Sequence, residues 1–155
     1  MAWSSKIFRA LIADMFGNVA AFDLDSDTLK NSLFDNSITP TGDATSANSA
    51  YGAGVWASGG VADASGWPAA GRALGSVVID AGTSATVKLT AANTVSANST
   101  TTLASVYGCL IHDTTLTTPV SDQGICFLSL GGTNSVTAGT FTVAYSASGV
   151  LSISL

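Results

Sequence analysis

The chain has 155 residues, of which 46% are hydrophobic and 10% charged, with ten Asp, no Glu, five Lys plus Arg and a net charge of −5. That length buries one full hydrophobic core and not two, and the high hydropathy with low charge excludes a disordered chain. No basic face is available to neutralise phosphates, so nucleic acid is excluded as a partner, and no apolar run reaches the length of a membrane-spanning helix.

Trp3, Ile7, Phe8, Leu11, Ile12, Met15 and Phe16 recur at steps of three, four and one, which predicts an amphipathic helix over 3–16. Ser4 or Ser5 would cap its first turn, and Gly17 with Asn18 would close its last. The domain organisation expected is therefore a helical segment 1–17 followed by a β-domain 18–155. Lys6, Arg9 and the small residues near position 20 imitate a secretory leader, but Asp14 interrupts the apolar stretch, so a retained helix is expected. The stripe serves packing on the β-domain or insertion into a partner.

Beyond Gly17 the period changes to two. Phe22 and Leu24 alternate with Asp23 and Asp25, and Leu29, Asn31 and Leu33 alternate with Thr28, Lys30 and Ser32, which predicts a hairpin turning near Ser26 and Asp27. Further strands are predicted over 76–79, 85–89, 103–112, 125–130, 140–145 and 150–155, separated by Gly, Asn, Asp, Ser and Thr clusters. About eight antiparallel strands in one domain define an all-β fold: a sandwich, jelly roll or barrel preceded by one helix. The Gly, Ala and Ser-rich stretch 39–71 lacks a sustained period and reads as a long ordered excursion with at most one short strand near Val55 and Trp56.

Candidate chemistry is sparse. Asp23, Asp25 and Asp27 have the spacing that opens a calcium loop, yet the positions for its glycine and its bidentate acid hold Thr28 and Phe34. No metal or other cofactor is expected; the strand reading puts the three carboxylates on a solvated rim. His112, the only histidine, is expected at a partly exposed strand end, and the nucleophile-elbow motif is missing. Cys109 and Cys126 are expected as reduced, buried small residues in neighbouring strands. Trp56 and Trp67 offer either a sugar-stacking surface or closure of the core or of a subunit contact. No catalytic residue is assigned, and the chain is not read as an enzyme.

Three segments carry a resemblance: KIFRALIADMFGNVAAFDLDSDTLKNSLFDNSITP, ANSAYGAGVWASGGV and VTAGTFTVAYSASGVLSISL. In order and spacing, over a little under half of the chain, they resemble a family of small virion proteins of tailed bacteriophages, especially those of actinobacteria. The family pattern implies an N-terminal helix, an acidic strand and hairpin, a Gly-rich excursion and a terminal hairpin, here Gly139, Thr140, Phe141 and Thr142 followed by Gly149, Val150 and Leu151. Between Asp63 and Ser105 this chain departs from the pattern, being richer in Ala and Gly. The resemblance implies a structural virion protein without catalytic residues, made in the host cytoplasm and placed on the capsid surface. Its implied partners are the major capsid protein and copies of itself, a homotrimer by analogy with decoration proteins. The alternative is a minor tail or tail-tip component that binds a receptor sugar.

Overall fold

The computed structural model describes residues 3–81 and 85–154. Positions 1, 2, 82–84 and 155 lie outside the described residues, including the first two of the expected helical segment 1–17 and the last of the strand expected at 150–155. In chain order the elements are β1 (Lys6–Ile7), α1 (Arg9–Phe16), β2 (Leu29–Phe34), α2 (Ser46–Ser49), a 3₁₀ turn (Gly54–Ala57), β3 (Gly60–Val61), β4 (Arg72–Ala73), β5 (Val78–Asp80), β6 (Thr86–Thr90), β7 (Thr94–Val95), β8 (Thr101–Asp113), β9 (Gly124–Gly139), β10 (Thr142–Val143) and β11 (Leu151–Ser154).

All strand pairings among the described residues are antiparallel. The main sheet runs β1-β9-β8-β2-β3, with β4 also on β2; a second sheet runs β11-β6-β5, and β7 pairs with β10. The product is a mostly β, sandwich-like domain, as the alternating sequence implies. β2, apart from the half-buried Lys30, and the end of β8 are buried on both faces, Asn31 and Ser32 of β2 included. β8 and β9 shift register four times, and such bulges bend and twist the pair.

On one face of the main sheet Phe34, Leu110, His112 and Phe127 point into a layer made by Trp3, Phe8, Tyr51 and Trp56. Trp56 touches four rings, with centroids 5.0 Å away for Phe34, 5.8 Å for Phe127, 5.9 Å for Trp3 and 6.2 Å for Phe8. On the other face Asn31, Leu33, Cys109, Ile111 and Cys126 meet the second sheet and the C-terminal segment, where the Asn31 amide donates to the Tyr145 hydroxyl at 2.8 Å.

The last third of the excursion 39–71 is fastened at two points. Trp67 is fully buried at the outer side of β2, where its indole N–H donates to the Asn31 carbonyl at 3.0 Å. The Asp63 carboxylate accepts from the amides of Thr102, Ser65 and Gly66, which holds it down to about 2. The Thr102 amide, the largest cause of that shift, binds the turn to β8.

Several sequence expectations are corrected. The helix covers Arg9–Phe16 only, because Lys6 and Ile7 take ladder positions opposite Phe127 and Cys126, and Phe8 stays extended at φ −72° and ψ 126°. From this extended lead, Trp3 and Phe8 reach the aromatic layer that a helix from position 3 would have turned them from. Neither Ser4 nor Ser5 caps the helix; the Ser5 hydroxyl accepts from the Ser129 amide instead. Gly17 ends the helix and Asn18 takes the left-handed conformation, φ 50°. No hairpin forms over 22–33: the Ser26 and Asp27 amides donate to the Asp23 carbonyl, and the Asp27 carboxylate accepts from the Asp23 amide. That self-closed turn spends backbone groups a strand would need. Val55 and Trp56 lie in the 3₁₀ turn, with the short strand at Gly60–Val61 instead. Among the described residues the implied terminal hairpin is reduced to one antiparallel bridge, Ser146 to Gly149, because β10 pairs with β7 and β11 with β6.

Gly108, in the middle of β8, lies directly under the Trp3 ring: a β-carbon there would collide with Trp3 Cζ3 and Cε3 and stand 2.6 Å from the Leu128 carbonyl oxygen. Gly108→Ala is expected to lower stability by about 1–3 kcal/mol in urea unfolding, through overpacking of the aromatic layer.

Candidate functional site

The residues of the predicted stripe separate into two groups. Trp3, Phe8 and Leu11 are buried with Trp56 and Trp67, at 2% and 0% exposure, as core. Neither tryptophan therefore presents a ring face to a sugar, and both close the core. Ile7 and Ile12 are half-buried, whereas Met15 is 42% and Phe16 88% exposed. The exposed end of α1 stands beside the inner face of the second sheet, where Ile79, Leu89 and Leu151 are cross-strand partners and Val87 faces Ile153.

Between them opens an apolar cleft of about 230 Å³, closed by Leu11, Phe22 and Leu24 and rimmed by Asp23, Asp25 and Lys88. A second cleft of about 380 Å³ also touches Met15 and runs along Phe16, reaching Ser152 and Ile153. Together they give a continuous apolar patch that includes the largest exposed side chain of the N-terminal segment. Such patches on a folded domain mark contact surfaces. Sequence periodicity singled out the α1 half; the β5 and β11 half was hidden, because Ile79 and Ile153 come together only through their pairings with β6.

Asp14 positions the helix. Its carboxylate accepts from the Gln123 amide at 2.8 Å and the Ser46 hydroxyl at 2.6 Å, which ties α1 to the segment before β9 and to α2. The same residue that breaks the leader-like run in the sequence is thus the polar anchor of the patch.

A buried polar cluster lies on the opposite side of the main sheet. His112 is 1% exposed, not a partly exposed strand end, because Tyr51 stacks on its ring at 5.0 Å and 15°. Its Nε2 is 3.0 Å from the Ser32 hydroxyl, and its Nδ1 is 3.7 Å from the Asp122 carboxylate. Nucleophile, base and acid are thus in the order of a hydrolytic relay, but Ser32 is wholly buried beneath Gly71, where a β-carbon would stand 2.6 Å from its hydroxyl. Gly71, at φ +80°, allows that approach. In this arrangement the cluster joins β2 to β8 and holds Tyr51 of the excursion. Sequence reading missed Ser32 and Asp122, since Ser32 meets His112 only diagonally, through the register Lys30 to His112 and Ser32 to Leu110.

Burial pushes His112 down to about 4, with Lys30 helping and Asp122 opposing. Its neighbour Asp113 is pushed up to about 6, first by burial, with Asp27 adding to the shift. Cys109 and Cys126 are buried and unbonded in β8 and β9, offset by two positions on one face, and desolvation raises both thiols, Cys109 to about 12. Both stay protonated and unreactive at neutral pH. Asp23, Asp25 and Asp27 share a turn and not a strand face. Among the described residues no three His, Cys, Asp or Glu side chains are grouped to hold a metal ion.

The two shifted neighbours act oppositely on stability. A lowered histidine contributes above pH 6.5 and loses that contribution as pH falls toward 4, whereas a raised carboxyl contributes below about 3.8 and loses it as pH rises through 6. Each effect amounts to about 1–3 kcal/mol. Asp113→Asn is expected to steepen the loss of stability between pH 7 and 4.5, and His112→Gln to reverse its sign. Urea unfolding at the two pH values checks both.

Comparison of the chain with protein-family models, with curated proteins and with solved structures gives no match.

Proposed function

We propose that this protein is a structural component of a tailed-bacteriophage virion, a capsid decoration or minor capsid protein that clamps the major capsid lattice without catalysis. The observation that carries the proposal is the apolar patch around Met15 and Phe16, flanked by two clefts, on a domain whose other exposed large apolar side chains among the described residues are only Val19, Val55, Val78 and Val95. Cores of protein interfaces are depleted in charge and rich in aromatic and Met side chains, as this patch is. The sequence resemblance to small virion proteins points the same way and supplies the partners: the major capsid protein and further copies of this chain, in a trimer.

A cement protein acts by mass action. It stabilises the expanded shell only by binding it better than the unexpanded one, since equal affinity for both states shifts nothing. A domain locked by its own aromatic layer suits that task, because little ordering is left to oppose binding. Trp56 and Trp67, buried in the core, offer no sugar platform to a receptor-binding tail head.

The protein is expected to co-sediment saturably with expanded shells of its phage, in many copies per shell, and far less with unexpanded shells or host walls. Phe16→Asp should reduce binding at least about tenfold by placing an unpaired charge in the contact, with the unfolding transition preserved. Wall binding without shell binding would contradict the proposal.

A further inference from the structure

The smaller cleft has a definite chemistry. At about 230 Å³ it is below the roughly 300 Å³ at which sites for drug-sized ligands begin, yet above the 150 Å³ apolar cavity that holds a benzene ring. That size suits one large apolar side chain inserted as an anchor. Its walls are Leu11, Ile12, Met15, Ile79, Leu89 and Ile153, with no polar side chain among these six.

Its rim is not neutral. Asp23 and Asp25 both line it and are exposed, and the Asp25 carboxyl is held above its usual range because its protonated form can donate to the Asp23 carboxylate. Lys88, the cation at the same rim, stands in register with Asp80 on the neighbouring strand. The two aspartates therefore leave the mouth of an apolar hole negative, and Asp27, whose carboxylate closes the turn on the Asp23 amide, fixes where they stand.

We propose that this cleft receives a polypeptide segment of the partner that pairs a large apolar anchor with a neighbouring Lys or Arg, the anchor entering between α1 and the second sheet and the cation meeting Asp23 and Asp25. The inference deepens the virion reading and rests on it only for the source of the segment, a shell subunit.

The test uses methyl-labelled full-length protein and three capped dipeptides, acetyl-Phe-Lys-amide, acetyl-Phe-Glu-amide and acetyl-Ala-Lys-amide, titrated by NMR at low salt. The Phe-Lys probe should shift the Ile12, Met15, Ile79 and Ile153 methyls saturably, bind about threefold to fivefold more tightly than Phe-Glu, and leave Ala-Lys without saturable shifts. In the Asp23→Asn/Asp25→Asn variant, or in the unaltered protein at 1 M salt, where the screening length falls to about 3 Å, the Lys preference should vanish while the Phe-dependent shifts remain. Absence of shifts at these methyls, or equal binding of Phe-Glu and Phe-Lys, would overturn the proposal. Probe binding by a protein that ignores its phage's shells would leave the cleft chemistry standing and remove the virion reading.

Discussion

The indole of Trp56 is the contact on which the rest of the molecule depends. It comes from a short turn in a Gly, Ala and Ser-rich stretch that has little apolar surface of its own, and it packs edge-on or tilted against Trp3, Phe8, Phe34 and Phe127. Those four rings come from the N-terminal segment, β2 and β9, so one side chain joins three regions distant in sequence. Each aromatic pair adds about 0.5–1.5 kcal/mol beyond burial, so the layer compensates for a main sheet whose flanking strands are only two residues long.

The surface follows from that interior. With Trp3 and Phe8 drawn into the layer from an extended lead, α1 begins only at Arg9, and its remaining apolar residues turn outward past Leu11. Asp14 then fixes the helix to Gln123 and Ser46. Met15 and Phe16 are therefore held outside by the same packing that holds Trp3 inside. A contact surface built on a rigid core loses little entropy on binding, which suits the proposed role.

Much of the fold was legible because long alternating or apolar runs survive any tertiary arrangement: β6, β8, the first half of β9 and β11 lie where period two put them. The apolar spacing over 3–16 misled at its start because a stripe with steps of three, four and one does not exclude an extended lead when a sheet edge offers hydrogen bonds to Lys6. The aspartates at 23–27 misled because alternation looks the same whether the carboxylates point to solvent or fold back on the chain. The buried Ser32 and His112 pair and the pairing of Ile79 with α1 were not legible at all, since both depend on register between strands tens of residues apart. Trp56 and Trp67 were recognised as important; that both turn inward is decided by partners from β2 and β9 and by Phe141, just before β10.

Urea unfolding of Trp56→Ala measures the organising contact directly. Loss of a buried tryptophan at the centre of four rings should cost about 3–5 kcal/mol, with loss of the excursion's protection from proteolysis. A variant destabilised by less than about 1 kcal/mol, with residues 39–71 still protected, would show that the excursion is held by something other than this ring and would contradict the account.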